Sequence, residues 1–572
     1  MKILGIAAPF GHDSSAALLI DGKVVAAAEE ERFTRKKHAE GQLPINSVNF
    51  CLKQTGLNPA EIDCIAYPWS VKILKQKKVE YFLRTICKRP ARARKRLFRT
   101  KKDFNDQKNL IYQVFNLCGF NASKARINWI EHHIAHAASS FCFSGMDEAA
   151  ILSLDVGGEI TSSLMGNVLN KKINKFREII CPDSLGAFYS TMTDYLGFKR
   201  GNGEYKVMGM APYGDSSKLN FDHIIWWNDK KKIYRCSDNY VWVQRGERFR
   251  MDKIYSKKMV LGFGPQREGD GLAEPYIHIA AVTQKKLEDI TLRLVEAYLK
   301  KELKRHGNLC FAGGIALNVS LNKTLLALPY VKNLWVQPAA HDSGSSLGAA
   351  AYVAFQAGED IEPMRHVYLG PEFSNQEIEE ELKKFNFPFS LENDICEVAA
   401  DLLNKGKIVG WFQGRMEWGP RALGNRSILG NSTIKGTADK INALIKFREK
   451  WRPFCPSILK EHAQDILGST HPAPFMTIAF KVNPEWRQRI PEVVHVNGTC
   501  RPQVVEKETN PKFYKVIENF YKKTGVPVVI NTSLNRRGEP IVCTPKDALV
   551  MFEGSGLEYL AMGDFLVKKK VS

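Results

Sequence analysis

The chain has 572 residues, and at roughly 100 to 200 residues per domain this length predicts two to four domains. Hydrophobic residues make up 44% of the sequence, which is a globular composition, and the lack of any run of about 18 consecutive apolar residues argues against a membrane-spanning helix. The 82 Lys and Arg residues outnumber the 61 Asp and Glu residues. This excess favours anionic partners without choosing among phosphates, nucleic acids, acidic glycans and membrane surfaces.

The start of the chain and its cysteines indicate a cytoplasmic protein. Residues 1–5 enter an apolar strand directly, without the basic region and cleavage site of a signal peptide. The twelve cysteines are scattered from Cys51 to Cys543 without any Cys-x-x-Cys pair. This pattern indicates reduced, mostly buried thiols rather than a disulfide framework or a zinc ribbon.

Strands that end in glycine turns, with helices between them, predict an α/β fold. Residues 2–8 and 16–20 form a predicted hairpin, and a third strand follows the Asp21-Gly22 turn. The same strand–turn pattern recurs at 149–154 and at 308–311, and residues 279–306 have the apolar spacing of a helix.

A change of pattern near residues 358–372, rich in Gly and Pro, predicts a domain boundary. We predict a first α/β domain at 1–357, a linker at 358–368 and a second α/β domain at 369–572. The sequence shows no internal repeat.

Four residues form a candidate metal site. His132 and His136 are four residues apart, so on a helix both imidazoles leave the same face, whereas His133 points elsewhere. Asp155 and Asp342 each follow a predicted strand, where carboxylates point into the cleft at the sheet edge. A polar helix surface is the alternative for the histidine pair. Two imidazoles and two carboxylates suit iron(II) or manganese better than thiolate-preferring metals.

Three glycine turns at strand ends resemble the phosphate and adenosine loops shared by actin, heat-shock chaperone ATPases and sugar kinases. They lie near Gly11, Gly157 and Gly313. Glycine lets backbone N–H groups approach phosphates where a side chain would obstruct, although a lone Gly-Gly pair is usually only a turn.

A series of motifs, taken in order, makes the resemblance specific. They are Gly-His-Asp-Ser-Ser-Ala at 11–16, Glu-Glu-Glu-Arg-Phe at 29–33, Lys-Lys-His at 36–38, the histidine pair, Gly-Glu-Tyr-Lys-Val-Met-Gly at 203–209, Ala-Gly-Gly-Ile-Ala-Leu-Asn at 312–318, Gly-Arg-Met-Glu-Trp-Gly-Pro-Arg-Ala-Leu-Gly-Asn-Arg-Ser at 414–427 and Lys-Phe-Arg-Glu-Lys-Trp-Arg-Pro-Phe at 446–454. Over nearly the whole chain this series resembles the O-carbamoyltransferase family that includes the nodulation-factor, cephamycin, tobramycin and ansamycin enzymes.

The resemblance implies an actin- and sugar-kinase-like N-terminal domain, similar to tRNA threonylcarbamoyl-transfer proteins of the TsaD type, and a C-terminal domain similar to YrdC proteins. It implies that the C-terminal site makes carbamoyladenylate from carbamoyl phosphate and ATP, with Mg²⁺ as the ATP counterion. The N-terminal site would pass the carbamoyl group to a hydroxyl, and His132, His136, Asp155 and Asp342 would hold a single iron(II). His341 is a possible fifth ligand.

The C-terminal reaction joins two polyanions and therefore needs permanent cations that neutralise phosphate charge. Arginine also grips two phosphate oxygens at once. Taken alone, each cation is more often a solvated surface charge. The residues that match the family's phosphate-binding positions or lie beside them are Arg421, Lys446, Arg452, Arg501, Asn531 and Ser533.

In the N-terminal domain the acceptor hydroxyl must lose its proton, and a base or a metal must help. His12 is the candidate base, with Asp13 orienting it; a turn residue that only bonds backbone is the alternative. Lys37 matches a family position near the intermediate. The remaining expected contacts are Lys206 for a phosphate and Gly313, Gly314 and Asn318 for the adenosine, with Asn322 as a weaker candidate.

Two other functions are compatible with parts of the sequence. A fused tRNA threonylcarbamoyl-transfer enzyme would suit the positive charge, but no aromatic-rich RNA-binding motif is evident, so no nucleic-acid partner is expected. An actin-like ATP-binding scaffold would leave the second domain's cations without purpose. The sequence does not identify the acceptor, although the positive charge would suit an anionic molecule. It does not fix the oligomeric state either, for which a homodimer is one expectation.

The segment 88–102 carries nine Lys and Arg residues among its fifteen. Such a run cannot be buried without partners, so it is expected to be exposed. Its positive potential would attract an acidic glycan, a nucleotide-linked sugar or an anionic membrane, and the alternative is a solvated helix face.

Overall fold

The computed structural model describes residues 1–7, 12–87, 90–121, 125–241 and 254–569, with part of the side chains at 91–104. The chain forms two compact units. The first contains Met1–Val25 and Gln42–Pro363, and the second contains Ala26–Gly41 and Met364–Ser572. The passage from Pro363 to Met364 lies inside the predicted linker. The sequence did not indicate that Ala26–Gly41 belongs to the second unit.

The strands are short and alternate with helices in both units. Those up to residue 336 are β1 Lys2–Ala7, β2 Ser15–Ile20, β3 Lys23–Glu29, β4 Cys64–Tyr67, β5 Ile127–Trp129, β6 Ala149–Leu154, β7 Thr161–Leu169, β8 Lys172–Ile180, β9 Ile225–Asn228, β10 Ile233–Cys236, β11 Asn308–Ala312 and β12 Asn333–Val336. Those that follow are β13 Phe389–Leu391, β14 Val409–Phe412, β15 Arg426–Asn431, β16 Cys455–Leu459, β17 Phe480–Lys481, β18 Thr499–Cys500, β19 Gln503–Val505, β20 Val528–Ser533, β21 Tyr559–Met562 and β22 Phe565–Lys568.

The helices up to residue 356 are α1 Glu31–Thr34, α2 Ile45–Thr55, α3 Val71–Thr85, α4 Pro90–Leu117, α5 His132–Phe141, α6 Leu185–Tyr195, α7 Glu204–Met210, α8 Lys257–Phe263, α9 Tyr276–Leu294, α10 Lys300–His306, α11 Val319–Leu326 and α12 Gly344–Gln356. Those that follow are α13 Asn375–Leu382, α14 Ile395–Asn404, α15 Thr437–Ile441, α16 Ala463–Leu467, α17 Pro484–Arg489, α18 Pro511–Thr524 and α19 Pro545–Glu553.

The same sheet topology occurs twice among the strands between residues 2 and 336. One five-stranded sheet has the order β3-β2-β1-β4-β5, and another has the order β8-β7-β6-β11-β12. In the first, β1 is antiparallel to β2 and parallel to β4; in the second, β6 is antiparallel to β7 and parallel to β11. A tandem repeat of this sheet is the architecture of the actin and sugar-kinase fold, so the predicted α/β class is confirmed.

Two helices pack against each other and form the interior of the first unit. Helix α12 packs on β1, β2 and β4, α5 packs on β6 and β11, and α5 and α12 contact each other. Small residues make this approach possible. A Cβ at Gly5 would lie 1.9 Å from the carbonyl oxygen of Ser346, and one at Gly348 would lie 1.9 Å from that of Ala135. The Ala- and Gly-rich sequence of α12 is therefore a packing requirement.

The second unit is built on an eight-stranded mixed sheet with the order β13-β22-β21-β14-β15-β20-β16-β19. Helices α14 and α18 pack against each other beside it. Their apolar faces meet strand residues in a core that includes Leu403, Trp411, Leu429, Phe513 and Phe520.

Several sequence predictions are confirmed by these elements. The opening hairpin and its third strand are present, as are the strands before Asp155 and Gly313. The predicted helix at 279–306 is interrupted by a wider turn at Val295–Leu299. All twelve cysteines are free, and all but Cys87 are buried. Among the described residues, no helix combines the length and apolarity needed to cross a membrane.

Candidate functional site

Two imidazoles and two carboxylates of the first unit converge on one point. His132 Nε2 lies 3.3 Å from Asp155 Oδ2 and 3.5 Å from Asp342 Oδ1. His136 Nε2 makes the same two approaches, at 3.3 and 3.5 Å. The two Nε2 atoms are 3.1 Å apart. The structure therefore brings together all four predicted ligands, which we call the His2Asp2 group.

Local structure explains how the four side chains meet. The two histidines occupy the first and fifth positions of α5, so they share one helix face. Asp155 follows β6 directly, and its Oδ1 accepts the backbone N–H of Val156 at 2.7 Å, which leaves Oδ2 toward the histidines. Asp342 lies two residues before α12. Because α5 packs against α12, the carboxylates of β6 and the α12 turn meet the imidazoles.

The chemistry of the group fits a divalent cation. Ligand atoms about 2 Å from one shared ion lie about 3 Å from each other, close to the separations found here. The two Nε2 atoms are 3.1 Å apart and both approach the carboxylates, so one ion between them would contact all four groups. Nδ1 of both rings is buried without a hydrogen-bond partner in the described part of the chain. Two carboxylate charges in a buried site also call for a cation.

The pKa shifts report the same complementarity. Burial disfavours the charged form of His132, but hydrogen bonds to Asp155 and Asp342 outweigh it and raise the pKa well above its usual value. Burial likewise opposes ionisation of Asp342, yet the two histidines hold its pKa well below the usual range. Without an ion, the carboxylates are balanced by protonated imidazole, so the site favours positive charge.

Two neighbours of the group have structural roles. His133 is buried between Ser153 Oγ at 2.8 Å and the carbonyl oxygen of Thr161 at 2.9 Å, and burial lowers its pKa to about 3. It is a neutral core residue, as its spacing predicted. The sequence analysis missed Glu159, whose buried carboxylate accepts the backbone N–H groups of His132 and Ser70 and so fixes the start of α5.

His12 and Asp13 lie beside the His2Asp2 group. His12 Nδ1 is 3.1 Å from Asp13 Oδ2, the orienting contact that the sequence predicted. Ser343 Oγ donates to the Asp13 carbonyl, and Ser15 Oγ donates to the Ser343 carbonyl, which fastens this loop to the Asp342 turn. Burial opposes charge on His12, but Asp13, Asp342 and Asp155 raise its pKa to about 9. Gly11 lies outside the described residues.

The predicted adenosine loop also reaches the group. Gly313 has φ +91°, and a Cβ there would lie 2.2 Å from the carbonyl oxygen of Leu154, so only glycine fits. A Cβ at Gly314 would lie 3.1 Å from Asp155 Oδ1. The Asn318 side chain caps α11 by accepting from the Leu321 N–H, so part of its hydrogen-bonding capacity serves the fold.

Three other predicted or adjacent residues lie further along the first unit. Lys206 is on α7, with Nζ 5.1 Å from the centre of the Phe198 ring. Asn322 is buried and donates to the carbonyl oxygen of Ala316 at 2.7 Å. His341 is not among the four grouped ligands; its Nε2 lies 3.1 Å from Ser343 Oγ.

In the second unit, Lys446 is a buried cation among other cations. Its Nζ donates to Ser533 Oγ at 3.2 Å and to Asn535 Oδ1 at 2.7 Å. Burial, together with Arg448, Arg452 and Lys37, lowers its pKa well below the usual value. The structure thus places Lys37 near Lys446, in the second unit. A bound anion would relieve the mutual repulsion of these cations.

The other predicted contacts of the second unit are held by specific partners. Arg452 lies 3.3 Å from the buried carboxylate of Glu449. Arg501 approaches Cys455 Sγ with Nε at 3.1 Å and a terminal nitrogen at 2.9 Å. Asn531 Nδ2 donates to Ser457 and Gln503, and its buried Oδ1 has no partner among the described residues.

The loop that carries Arg421 is held from two sides. Glu417 Oε1 accepts the backbone N–H groups of Leu423, Asn425 and Arg426 at 2.7, 2.8 and 3.1 Å. Glu29 accepts the Gly419 N–H at 2.8 Å, and Arg32 donates to the Gly419 carbonyl at 2.8 Å. The Glu-Glu-Glu-Arg-Phe motif therefore belongs to this loop, a role that its distance in sequence hides.

The two sites differ in the charge that they accept: the first offers buried carboxylates for a cation, and the second offers a cluster of cations for an anion. The sequence family of the carbamoyltransferase N-terminus matches residues 2–351, and that of the carbamoyltransferase C-terminus matches residues 400–569.

Similar proteins occur among known sequences and solved structures. An uncharacterized protein of Synechocystis sp. is 36% identical and aligns over 99% of this chain and 96% of its own length. Nodulation protein NolNO of Sinorhizobium fredii is 35% identical over 98% of this chain and 80% of its own length. Among solved structures, T.kodakarensis HypF covers 63% of this chain and 48% of its own length at 12% identity and a TM-score of 0.31. The chain belongs to the carbamoyltransferase family and is a transferase enzyme.

Proposed function

We propose that this protein is an ATP-dependent O-carbamoyltransferase that works in two steps. In the first, the second unit converts carbamoyl phosphate and ATP into carbamoyladenylate. In the second, the first unit transfers the carbamoyl group to a hydroxyl of a small molecule or glycan and releases AMP. The observation that carries the proposal is the coexistence, in a carbamoyltransferase, of the His2Asp2 group and the separate Lys446 cation cluster.

The first step suits the cations of the second unit. Water cleaves the bond between the carbamoyl group and phosphate, which releases inorganic phosphate and carbamate. A carbamate oxygen then bonds to the α-phosphorus of ATP as pyrophosphate leaves. Lys446, Arg452, Arg501 and Arg421 would neutralise the phosphates and hold them in line. The unpartnered Oδ1 of Asn531 can accept a carbamoyl N–H.

The second step needs proton removal from the acceptor and charge stabilisation on AMP. His12, oriented by Asp13, is the group in the first unit that would take the proton. Gly313 and Gly314 leave space for a nucleotide beside Asp155. A divalent cation held by the His2Asp2 group, with iron(II) as the expected ion, would polarise the carbamoyl or phosphate oxygen and offset the carboxylate charge that raises the pKa of His12.

The half-reactions should separate by mutation. Arg421→Ala and Arg501→Ala are expected to lower pyrophosphate release by at least about 100-fold, because each removes a phosphate-binding charge from the reaction. His12→Ala is expected to release pyrophosphate normally and to lose carbamoyl transfer. Pyrophosphate release is measured with purified protein, ATP and carbamoyl phosphate.

The first step uses only ATP and carbamoyl phosphate, so the test does not require the identity of the acceptor. Lys383→Ala, on an exposed surface of the second unit, is the control for loss of one positive charge. Normal pyrophosphate release by Arg421→Ala, or loss of release by His12→Ala, would contradict the division of labour.

A further inference from the structure

Helices α3 and α4 form a hairpin that carries none of the site residues described above. The two helices pack against each other, and only residues 86–89 connect them. Lys77 of α3 pairs with Glu178 of β8, and Tyr67 of β4 donates to Gln107 of α4 at 2.6 Å. The hairpin is therefore fixed to the body of the first unit.

Positive charge is concentrated on this hairpin. Residues 70–105 contain fourteen Lys and Arg residues against Glu80 and Asp103, so they carry +12 of the formal net charge of +21. Lys72, Lys75, Arg94 and Lys102 of this hairpin are exposed. More than half of the formal charge excess therefore lies in one short part of the sequence, and such a concentration of like charges creates a local positive potential.

Large apolar side chains are exposed between these cations. Val79, Leu83 and Phe98 are 53%, 68% and 77% exposed. Leu83 lies near the end of α3 and Phe98 in the first third of α4, so both are in the half of the hairpin next to the connection. Single exposed apolar residues are common, but these three lie on the same helical hairpin and beside exposed cations.

Cations and apolar residues lie together along one face of each helix. On α3, Lys75, Val79 and Leu83 follow each other at spacings of four residues. On α4, Arg94, Phe98 and Lys102 are also spaced four residues apart, so the apolar residue lies between two cations. All six side chains are exposed. Each helix thus presents a mixed apolar and basic face to solvent.

We propose that the α3–α4 hairpin docks the protein on an anionic phospholipid surface. Helices that lie at a membrane interface combine apolar side chains, which enter the headgroup region, with Lys and Arg, which pair with anionic lipids. Nucleic acid or an acidic glycan would attract the cations but would give exposed Leu83 and Val79 no favourable environment. This inference does not depend on which hydroxyl receives the carbamoyl group.

Vesicle cosedimentation of the full-length protein tests the proposal. The protein should pellet with vesicles of phosphatidylcholine and phosphatidylglycerol and stay in solution with phosphatidylcholine alone. Raising the salt from about 0.05 M to about 0.5 M should release it, because the screening length falls several-fold. Equal binding to both vesicles, or no binding to either, would overturn the proposal.

Two double variants separate the apolar and the charged contributions. Leu83→Ser with Phe98→Ser, and Arg94→Gln with Lys102→Gln, should each weaken vesicle binding by more than about tenfold. Leu391→Ser, at a residue 68% exposed in the second unit, and Lys230→Gln with Lys231→Gln, at exposed positions between β9 and β10, are the matched controls. Pyrophosphate release should stay unchanged in every variant and shows that the proteins are folded.

A single-stranded RNA of random sequence distinguishes the competing occupant. If the hairpin serves lipid, the serine double variant loses vesicle binding while any RNA binding is unaffected. If the serine variant binds vesicles like the wild type and only the glutamine variant loses RNA binding, the hairpin is a nucleic-acid surface and the proposal is wrong.

Discussion

At the scale of single residues, the two sites differ in the charge that they leave to be balanced. The His2Asp2 group places two carboxylates beside two imidazoles, whereas Lys446 is surrounded by Arg448, Arg452 and Lys37. Buried charges of one sign persist only where a partner compensates them. The first site therefore favours a cation and the second an anion.

Replacing one ligand of the His2Asp2 group tests the cation. His132→Ala should lose the bound metal, because a labile divalent ion held by four protein ligands loses too much binding energy when one is removed. Metal content is measured on anaerobically purified protein. His341→Ala, next to Asp342 but outside the group, should keep its metal. Equal metal in wild type and His132→Ala would show that the four side chains do not hold it.

Cys455 should position Arg501 for its substrate phosphate. The thiol accepts two N–H groups of the guanidinium, and hydrogen bonds to charged groups contribute about 1.5–3 kcal/mol. We expect Cys455→Ala to raise the KM for carbamoyl phosphate or ATP by about tenfold or more, with Cys455→Ser partly restoring it. Cys396→Ala, elsewhere in the second unit, should leave KM unchanged. A fall in kcat alone would contradict this role.

At the scale of elements, the distance between α5 and α12 decides whether the metal ligands meet. Gly348 and Ala135 touch through backbone atoms, and α5 carries two ligands while Asp342 precedes α12. The small residues of α12 thus serve the site as well as the core. From its composition alone, the α12 sequence predicts a stable helix but not its close contact with α5.

Widening this contact should damage the site at a distance. Gly348→Ala places a Cβ against the Ala135 carbonyl, so we expect a loss of about 1–3 kcal/mol of stability from overpacking and a lower metal content. Thermal unfolding and metal analysis provide the measurements. Gly262→Ala in α8, where a Cβ meets nothing within 4 Å, is the control. Full metal content in Gly348→Ala would show that the helix spacing is not critical.

At the scale of the whole molecule, the second unit is assembled from two distant parts of the sequence. Residues Ala26–Gly41 fold with Met364–Ser572. The buried Arg32 side chain joins them, because it pairs with Glu29 and Glu31 and donates to Gly419. The second unit therefore needs residues that precede most of the first unit.

Arg32→Ala should consequently destabilise the second unit. It leaves Glu29 and Glu31 buried without their partner, which costs about 3–5 kcal/mol when one member of a buried ion pair is removed. The temperature of thermal unfolding and the rate of pyrophosphate release should both fall. Lys23→Ala, which removes an exposed pair with Glu362, should change stability by less than about 0.5 kcal/mol. Normal pyrophosphate release by Arg32→Ala would contradict the assignment of this segment.

Local features of the protein could be predicted from its sequence. Alternating apolar strands, glycine turns and helical spacing predicted the α/β class and the opening hairpin. The His132–His136 spacing predicted two imidazoles on one face, because helix geometry fixes that relation locally. Family resemblance supplied the carbamoyltransferase assignment.

Tertiary structure alone decided which distant residues meet. Asp155 and Asp342 join the histidines because β6 and α12 pack around α5, and no sequence spacing encodes that contact. The repeated sheet topology was invisible because its two halves share strand order rather than residues. Glu29 and Arg32 join Gly419 across nearly 400 residues. Asp13, next to His12 in sequence, raises the pKa of His12 most, and Asp342 and Asp155 add to this rise only because folding brings them near.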